Sequence, residues 1–176
     1  LKFPRQGQFH PLKYLAGLSR AIERHGGHIF TLSHAETIEG GPHAHVTTTE
    51  GHTVSARDIV VATNTPVNDL VSIHTKQAAY RTYVIGLQIP VGSLTKALYW
   101  DTAQPYHYLR LSKGSDKASE ILIVGGEDHK TGQAESTDSY DRLEQWTRER
   151  FPRASEVRFR WSGQVMETVD GLAFIG

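Results

Sequence analysis

The run YRTYVIGLQI, Tyr80 to Ile89, constrains the fold most. Ten residues rich in β-branched and aromatic side chains predict a long strand, and Pro90-Val91-Gly92 closes it. A strand leaves N–H and C=O groups open along both edges, so it needs partners. Candidates follow at Ala97 to Asp101, Tyr106 to Leu111, Glu120 to Gly125 and Val157 to Glu167. Lys113 to Ser119 is a polar hairpin loop, and Gly125-Gly126 ends its strand in a special backbone conformation. Thr137 to Arg150 is predicted as a long helix. Its acids Asp138 and Asp141 come early and its bases Arg148 and Arg150 late, matching the helix dipole. Tyr140, Leu143 and Trp146 give it one apolar face, and Pro152 stops it. Residues from about 71 to 167 are therefore expected to form an antiparallel sheet with one helix.

The first 70 residues differ in character. Pro11 to His25 is expected to be a helix, with Leu12, Leu15, Leu18 and Ile22 on one face. His10 sits at the cap position, Pro11 suits the first turn, and Gly26-Gly27 ends the helix. His28 to Leu32 is predicted as a strand. Ala35 to Glu39, His43 to Thr49 and His52 to Ala56 form a meander, turning at Glu50-Gly51. Ile59 to Thr63 is apolar without alternation, which predicts burial on both faces and a parallel sheet. The fold class is α+β.

Composition narrows the function. Lys plus Arg and Asp plus Glu are 19 each, so charge gives no reason to expect nucleic acid as a partner. No apolar run approaches the roughly 20 residues of a membrane span. Cysteine is absent, which removes disulfides, thiolate nucleophiles and cysteine-bound metals from this chain and agrees with a cytoplasmic location. His43-x-His45 has no third ligand at a zinc spacing, so no metal site is expected.

The order of segments then resembles a known family. GQFHPLKYLAGLSRAIERHGGHIF, a meander and GHTVSARDIVVATNTPVNDL resemble the middle of the FAD-dependent amine and amino-acid oxidoreductases, the D-amino-acid oxidase and sarcosine oxidase-like family. WSGQVMETVDGLAFIG resembles the segment before that family's last flavin-binding turn. The resemblance covers nearly the whole chain. It implies a partial FAD-binding, Rossmann-like region over residues 1–70, a substrate-binding domain over 71–167 and a return toward the FAD domain over 168–176. The family's G-x-G-x-x-G motif does not occur here, nor does its final glycine-rich segment. The chain is accordingly expected to be an internal piece that does not retain FAD by itself.

The resemblance implies flavin-dependent oxidation of an amine or amino acid, with hydride leaving the carbon next to nitrogen. Some relatives carry an iron–sulfur domain further on, so an electron-acceptor domain or protein is an expected partner beside the small-molecule substrate. Several residues acquire roles, each beside a simpler reading. Ala62, Thr63 and Asn64 would approach FAD, or form a strand-to-loop turn. Gly171 would allow close backbone approach to the flavin, or form a tight Asp-Gly turn. His10 would carry a proton or touch substrate, or cap the helix. Tyr80, Arg81, Tyr83, Tyr99, Trp100 and the run Tyr106 to Arg110 would supply the substrate wall. Alternation places Tyr106, Tyr108 and Arg110 on one face, with Arg110 the anchor for a carboxylate, and His107 and Leu109 on the other. The alternative function is a non-catalytic module that binds a small molecule or a protein on its antiparallel sheet.

Overall fold

The computed structural model describes residues 3–65, 67, 76–133 and 137–172. Two compact units, Leu1–Val71 and Ser72–Gly176, make up the chain. The described residues contain two antiparallel sheets and two helices, an α+β fold.

In the first unit, α1 (Pro11–Arg24) forms on the local signals present in the sequence. The His10 Nδ1 accepts from the Lys13 N–H at 3.4 Å, and proline occupies the first turn. At the other end Gly26 takes φ +81°, which lets the Gly26 and Gly27 N–H groups return to Glu23 and Ile22. Leu12, Leu15, Leu18 and Ile22 form the expected stripe, yet all four are exposed. After the helix, β1 (Ala35–Glu39), β2 (His45–Thr48) and β3 (Thr53–Ser55) form an antiparallel meander in that order. Gly51, at φ +82°, makes the β2–β3 turn. His43 lies before β2 rather than on its face.

Two expected strands are not formed. Residues 28–32 and 59–63 make no ladder, and no parallel pair occurs among the described residues. Apolar composition supplies a reason to be buried, but a strand exists only where a neighbour takes up its N–H and C=O groups. Phe30 and Val60, at 75% and 88% exposed, have no such neighbour among the described residues. Of the stretch that follows Thr63, residues 66 and 68–75 lie outside the described residues, as do 173–176 at the end of the chain.

The second unit is built on β4 (Gln77–Pro90), β5 (Leu98–Trp100), β6 (Tyr108–Lys113), β7 (Ser119–Lys130) and β8 (Val157–Thr168). Their order across the sheet is β5-β6-β7-β4-β8, antiparallel throughout. The predicted helix, α2 (Thr137–Arg150), packs on one face. Tyr83, Ile85, Leu87 and Ile89 alternate toward it, as do Leu109, Leu111, Leu122 and Val124, and Leu143 closes the core from the helix side. Arg160 bridges to Glu144 at 2.7 Å on the same side.

Gly125-Gly126 does not end β7. The strand continues to Lys130 through a bulge opposite Arg81 and Tyr83, with Gly126 at φ +156° and Glu127 at φ +57°. A bulge adds a residue and re-aims the side chains around it. Here Glu127 faces α2, and alternation resumes with His129 stacked on Tyr83 on that same side. Asp128 is left on the opposite face.

Candidate functional site

Among the described residues of its unit, no layer covers the face of the second sheet away from α2. Register assigns its residues in rows. Trp100, Tyr108, Gly125, Val84 and Trp161 are paired in one row across all five strands. Leu98, Arg110, Ile123, Gly86 and Phe159 make the next. Trp100, Trp161, Phe159, Tyr106 and Val165 are exposed. The exposed rings stand toward the two edges of these rows, while Val84, Gly86 and Gly125 at their middle are buried.

Two glycines shape this face. A Cβ on Gly125 would overlap the Tyr108 ring, so the absence of a side chain there lets the ring lie across the strand. At Gly86 a Cβ would stand 3.1 Å from Phe159 and 3.2 Å from Ile121, a milder version of the same arrangement. The Tyr108 hydroxyl reaches Thr82 Oγ1 at 3.3 Å, and the Tyr106 and Tyr108 rings tilt toward each other with centroids 6.0 Å apart. Burial pushes both phenols upward, and the Asp128 charge adds to each shift. Both tyrosines therefore stay neutral across the physiological range.

Tyr106, Tyr108 and Arg110 thus share one face, and His107 and Leu109 take the other. The wider list of wall residues divides. Tyr80 and Trp100 lie on the uncovered face, whereas Arg81, Tyr83, Tyr99 and His107 lie on the α2 side. Tyr83 is fully buried against His129 and Tyr140, so it belongs to the core and not to a substrate wall.

His107 ties the sheet to α2 and to the loop before β6. Its ring stacks on Trp146 of α2 at 4.1 Å and 13°, with Asp101 Oδ2 3.0 Å from Nδ1 and Glu127 Oε1 3.4 Å from Nε2. The His107 N–H also donates to Asp101 Oδ1 at 2.8 Å, and Arg142 Nε donates to Glu127 Oε2 at 2.6 Å. Asp101, Glu127 and this use of His107 escaped the sequence because their meeting depends on the β7 bulge. The adjacent Gly125-Gly126 was the available signal.

For Asp101, partial burial raises the carboxyl pKa, but the bonds from the His107 N–H, the His107 ring and the Ala103 N–H outweigh it and lower the net value. A carboxyl lowered in the fold stabilises above its unfolded pKa, and that contribution is lost as pH falls through the folded one. Asp101→Asn is therefore expected to destabilise the chain near neutrality and to lose that difference progressively below about pH 4. Urea titrations followed by tryptophan emission test this, since all three tryptophans lie in the second unit. A mutant deficit of equal size at pH 7 and pH 3 would contradict it.

The remaining predicted residues occupy turns and caps. Ala62, Thr63 and Asn64 are exposed in the first unit, where Asn64 takes φ +65° and the Thr63 hydroxyl donates to the Thr65 carbonyl at 2.6 Å. This is the turn reading in geometric form. The N–H groups of these three residues make no backbone bond to described residues. Gly171, at φ +72°, forms a turn after β8 closed by its N–H to Thr168 and by Leu172 N–H to Asp170. Open space surrounds it, so backbone angle and not crowding explains the glycine. His10 caps α1. No group of three metal-ligating side chains occurs among the described residues, and none of their helices is long and apolar enough to cross a membrane.

A family model described as FAD dependent oxidoreductase matches residues 1–176. A protein of Bacillus subtilis (strain 168), YhfW, named provisionally as a Rieske 2Fe-2S iron-sulfur protein, is 29% identical over 178 residues. That match takes in 100% of this chain but 34% of the relative, so the chain spans about a third of the length of the curated protein it matches. Among solved structures, the tetracycline destructase Tet(51) aligns over 77% of this chain and 41% of its own, at 11% identity and a TM-score of 0.37.

Proposed function

Since this chain belongs to the FAD-dependent oxidoreductase family, we propose that it is the substrate-binding part of an enzyme that oxidises an amine or amino acid. Hydride leaves the carbon next to nitrogen in that reaction. The observation that carries the reading is the uncovered aromatic face, which presents Tyr106, Tyr108 and Arg110 together. When bound, FAD supplies the hydride acceptor.

The chain's own residues contribute binding, orientation and exclusion of water. Arg110 offers a planar pair of donors for a substrate carboxylate. Tyr106, Tyr108 and Trp100, on neighbouring strands or turns, cover the substrate's apolar part and displace water from it. Ala62, Thr63 and Asn64 would hold the cofactor through main-chain N–H groups, and Gly171 would lie beside it. His10 is the candidate proton carrier, its imidazole being the side chain suited to that task near neutrality. The name of the Bacillus relative supports an iron–sulfur domain or protein as electron acceptor. The absence of cysteine supports a cytoplasmic setting.

The visible spectrum of the native full-length protein tests the reading. Flavin absorption at about 370 and 450 nm, properties of the cofactor itself, is expected there. The polypeptide 1–176 alone is expected to be colourless, because no G-x-G-x-x-G motif occurs in it to seat the pyrophosphate. A full-length protein without flavin, even after FAD is added, would replace this reading by a non-catalytic binding module on the same sheet face.

A further inference from the structure

Asp128 has a carboxylate oxygen, Oδ1, that is buried and accepts no hydrogen bond from the described residues. Leaving such an atom without a partner is costly, and native folds keep few of them. The neighbouring acid is treated differently. Glu127 turns to α2 and is bonded to both Arg142 and His107. The bulge therefore separates two consecutive acids, satisfying one inside the unit and presenting the other on the uncovered face.

What surrounds Asp128 is aromatic. The bulge sets Asp128 opposite Thr82, whose Oγ1 lies 3.3 Å from the Tyr108 hydroxyl, and the Tyr106 ring is 6.0 Å from that of Tyr108. Tyr108 is fixed by Gly125 beneath it and by its contact with Thr82, so its position does not depend on a ligand. Glu167, paired with Ala78 in β4, adds a second negative charge on the same face. Lys130 lies on the same face at the end of β7 but makes no ion pair with Asp128 among the described residues. A negative centre beside neutral π-faces attracts an organic cation, since rings stabilise the charge and the carboxylate accepts an N–H.

We infer that Asp128, Tyr106 and Tyr108 form a binding site for an alkylammonium group on the uncovered face of the sheet. Identifying that cation as part of the substrate rests on the flavin reading proposed above. There the site deepens the substrate class. A protonated nitrogen has no lone pair with which to expel hydride, so the ammonium held at Asp128 is not the reacting nitrogen. The substrate is then a diamine or a basic amino acid, held by its second, non-reacting cation.

The test uses native full-length protein and tert-butylammonium, which has no C–H next to nitrogen and so is not consumed by amine oxidation. Its neutral isostere, tert-butanol, is the control. Calorimetric titration at pH 7 is expected to show a preference for the cation. Asp128→Asn keeps the size of the side chain and is expected to weaken the cation roughly tenfold or more, the worth of a charge-assisted hydrogen bond, while leaving the alcohol unchanged. Tyr106→Leu, at an exposed ring whose loss the fold tolerates, is expected to lower the same preference severalfold. Equal binding of cation and alcohol by the native protein, or a preference that survives both substitutions, overturns the site. A colourless protein with an Asp128-dependent preference would refute the flavin reading but keep the cation site. A yellow protein without the preference would do the reverse.

Discussion

Replacing His107 by alanine is expected to destabilise the second unit by about 2–4 kcal/mol. The ring is only 6% exposed and lies between an acid on each nitrogen and the Trp146 plane. Removing it leaves Asp101 and Glu127 without that partner and opens a void against Trp146. The loss stays below that of a fully buried pair for two reasons. Glu127 keeps Arg142, and Asp101, about a third exposed, recovers water. Chemical denaturation with tryptophan emission gives the number, and a loss below about 1 kcal/mol would mean that the ring is not pinned. The substitution should also free residues 101–107, which lead into Tyr106 and Tyr108. In the full-length protein its effect should therefore reach the uncovered face.

Local information set much of the fold. The α1 cap and terminating glycines, the meander, α2 and the alternation around Tyr108 all depend on residues close in sequence, and each formed as read. The failures share one cause. Phe30 and Val60 are apolar enough for buried strands, but a ladder needs a second strand that periodicity does not supply. β7 was cut short for a related reason. Two consecutive glycines resemble a stop, whereas Gly126 and Glu127 form a bulge that only the pairing with β4 reveals.

The candidate site was legible to the same depth. Alternation within six residues placed Tyr108 and Arg110 together, because strand period is local. It could not assign Tyr83 to the core, since that requires knowing which face α2 covers. Nor could it find Asp128, whose place on the aromatic face depends on the non-local bulge. Glu127 itself occupies the left-handed region at a cost of about 1 kcal/mol, offset by Arg142 and His107. That local strain is what allows neighbouring acids to serve opposite faces.

Gly125→Ala is expected to cost about 3 kcal/mol, and to do so through Tyr108. The φ of Gly125 is not in the left-handed region, so an alanine backbone is tolerated there and the penalty is steric. A methyl at this point overlaps the phenol ring, which is held from its other end by Thr82. The ring must leave the sheet or the strands must part. A double-mutant cycle separates this from a general intolerance of side chains in β7. Tyr108→Ala removes the obstacle, and Gly125→Ala in that background should cost less than about 0.5 kcal/mol. If the penalty persists without the ring, the glycine serves the β6–β7–β4 backbone and not Tyr108. If it vanishes, Gly125 exists to hold an aromatic ring flat beside Asp128 and in the row adjoining Arg110. The single mutant should then lose ligand binding at this face even where it remains folded, because the ring that Gly125 seats is the part of the site least able to find another position.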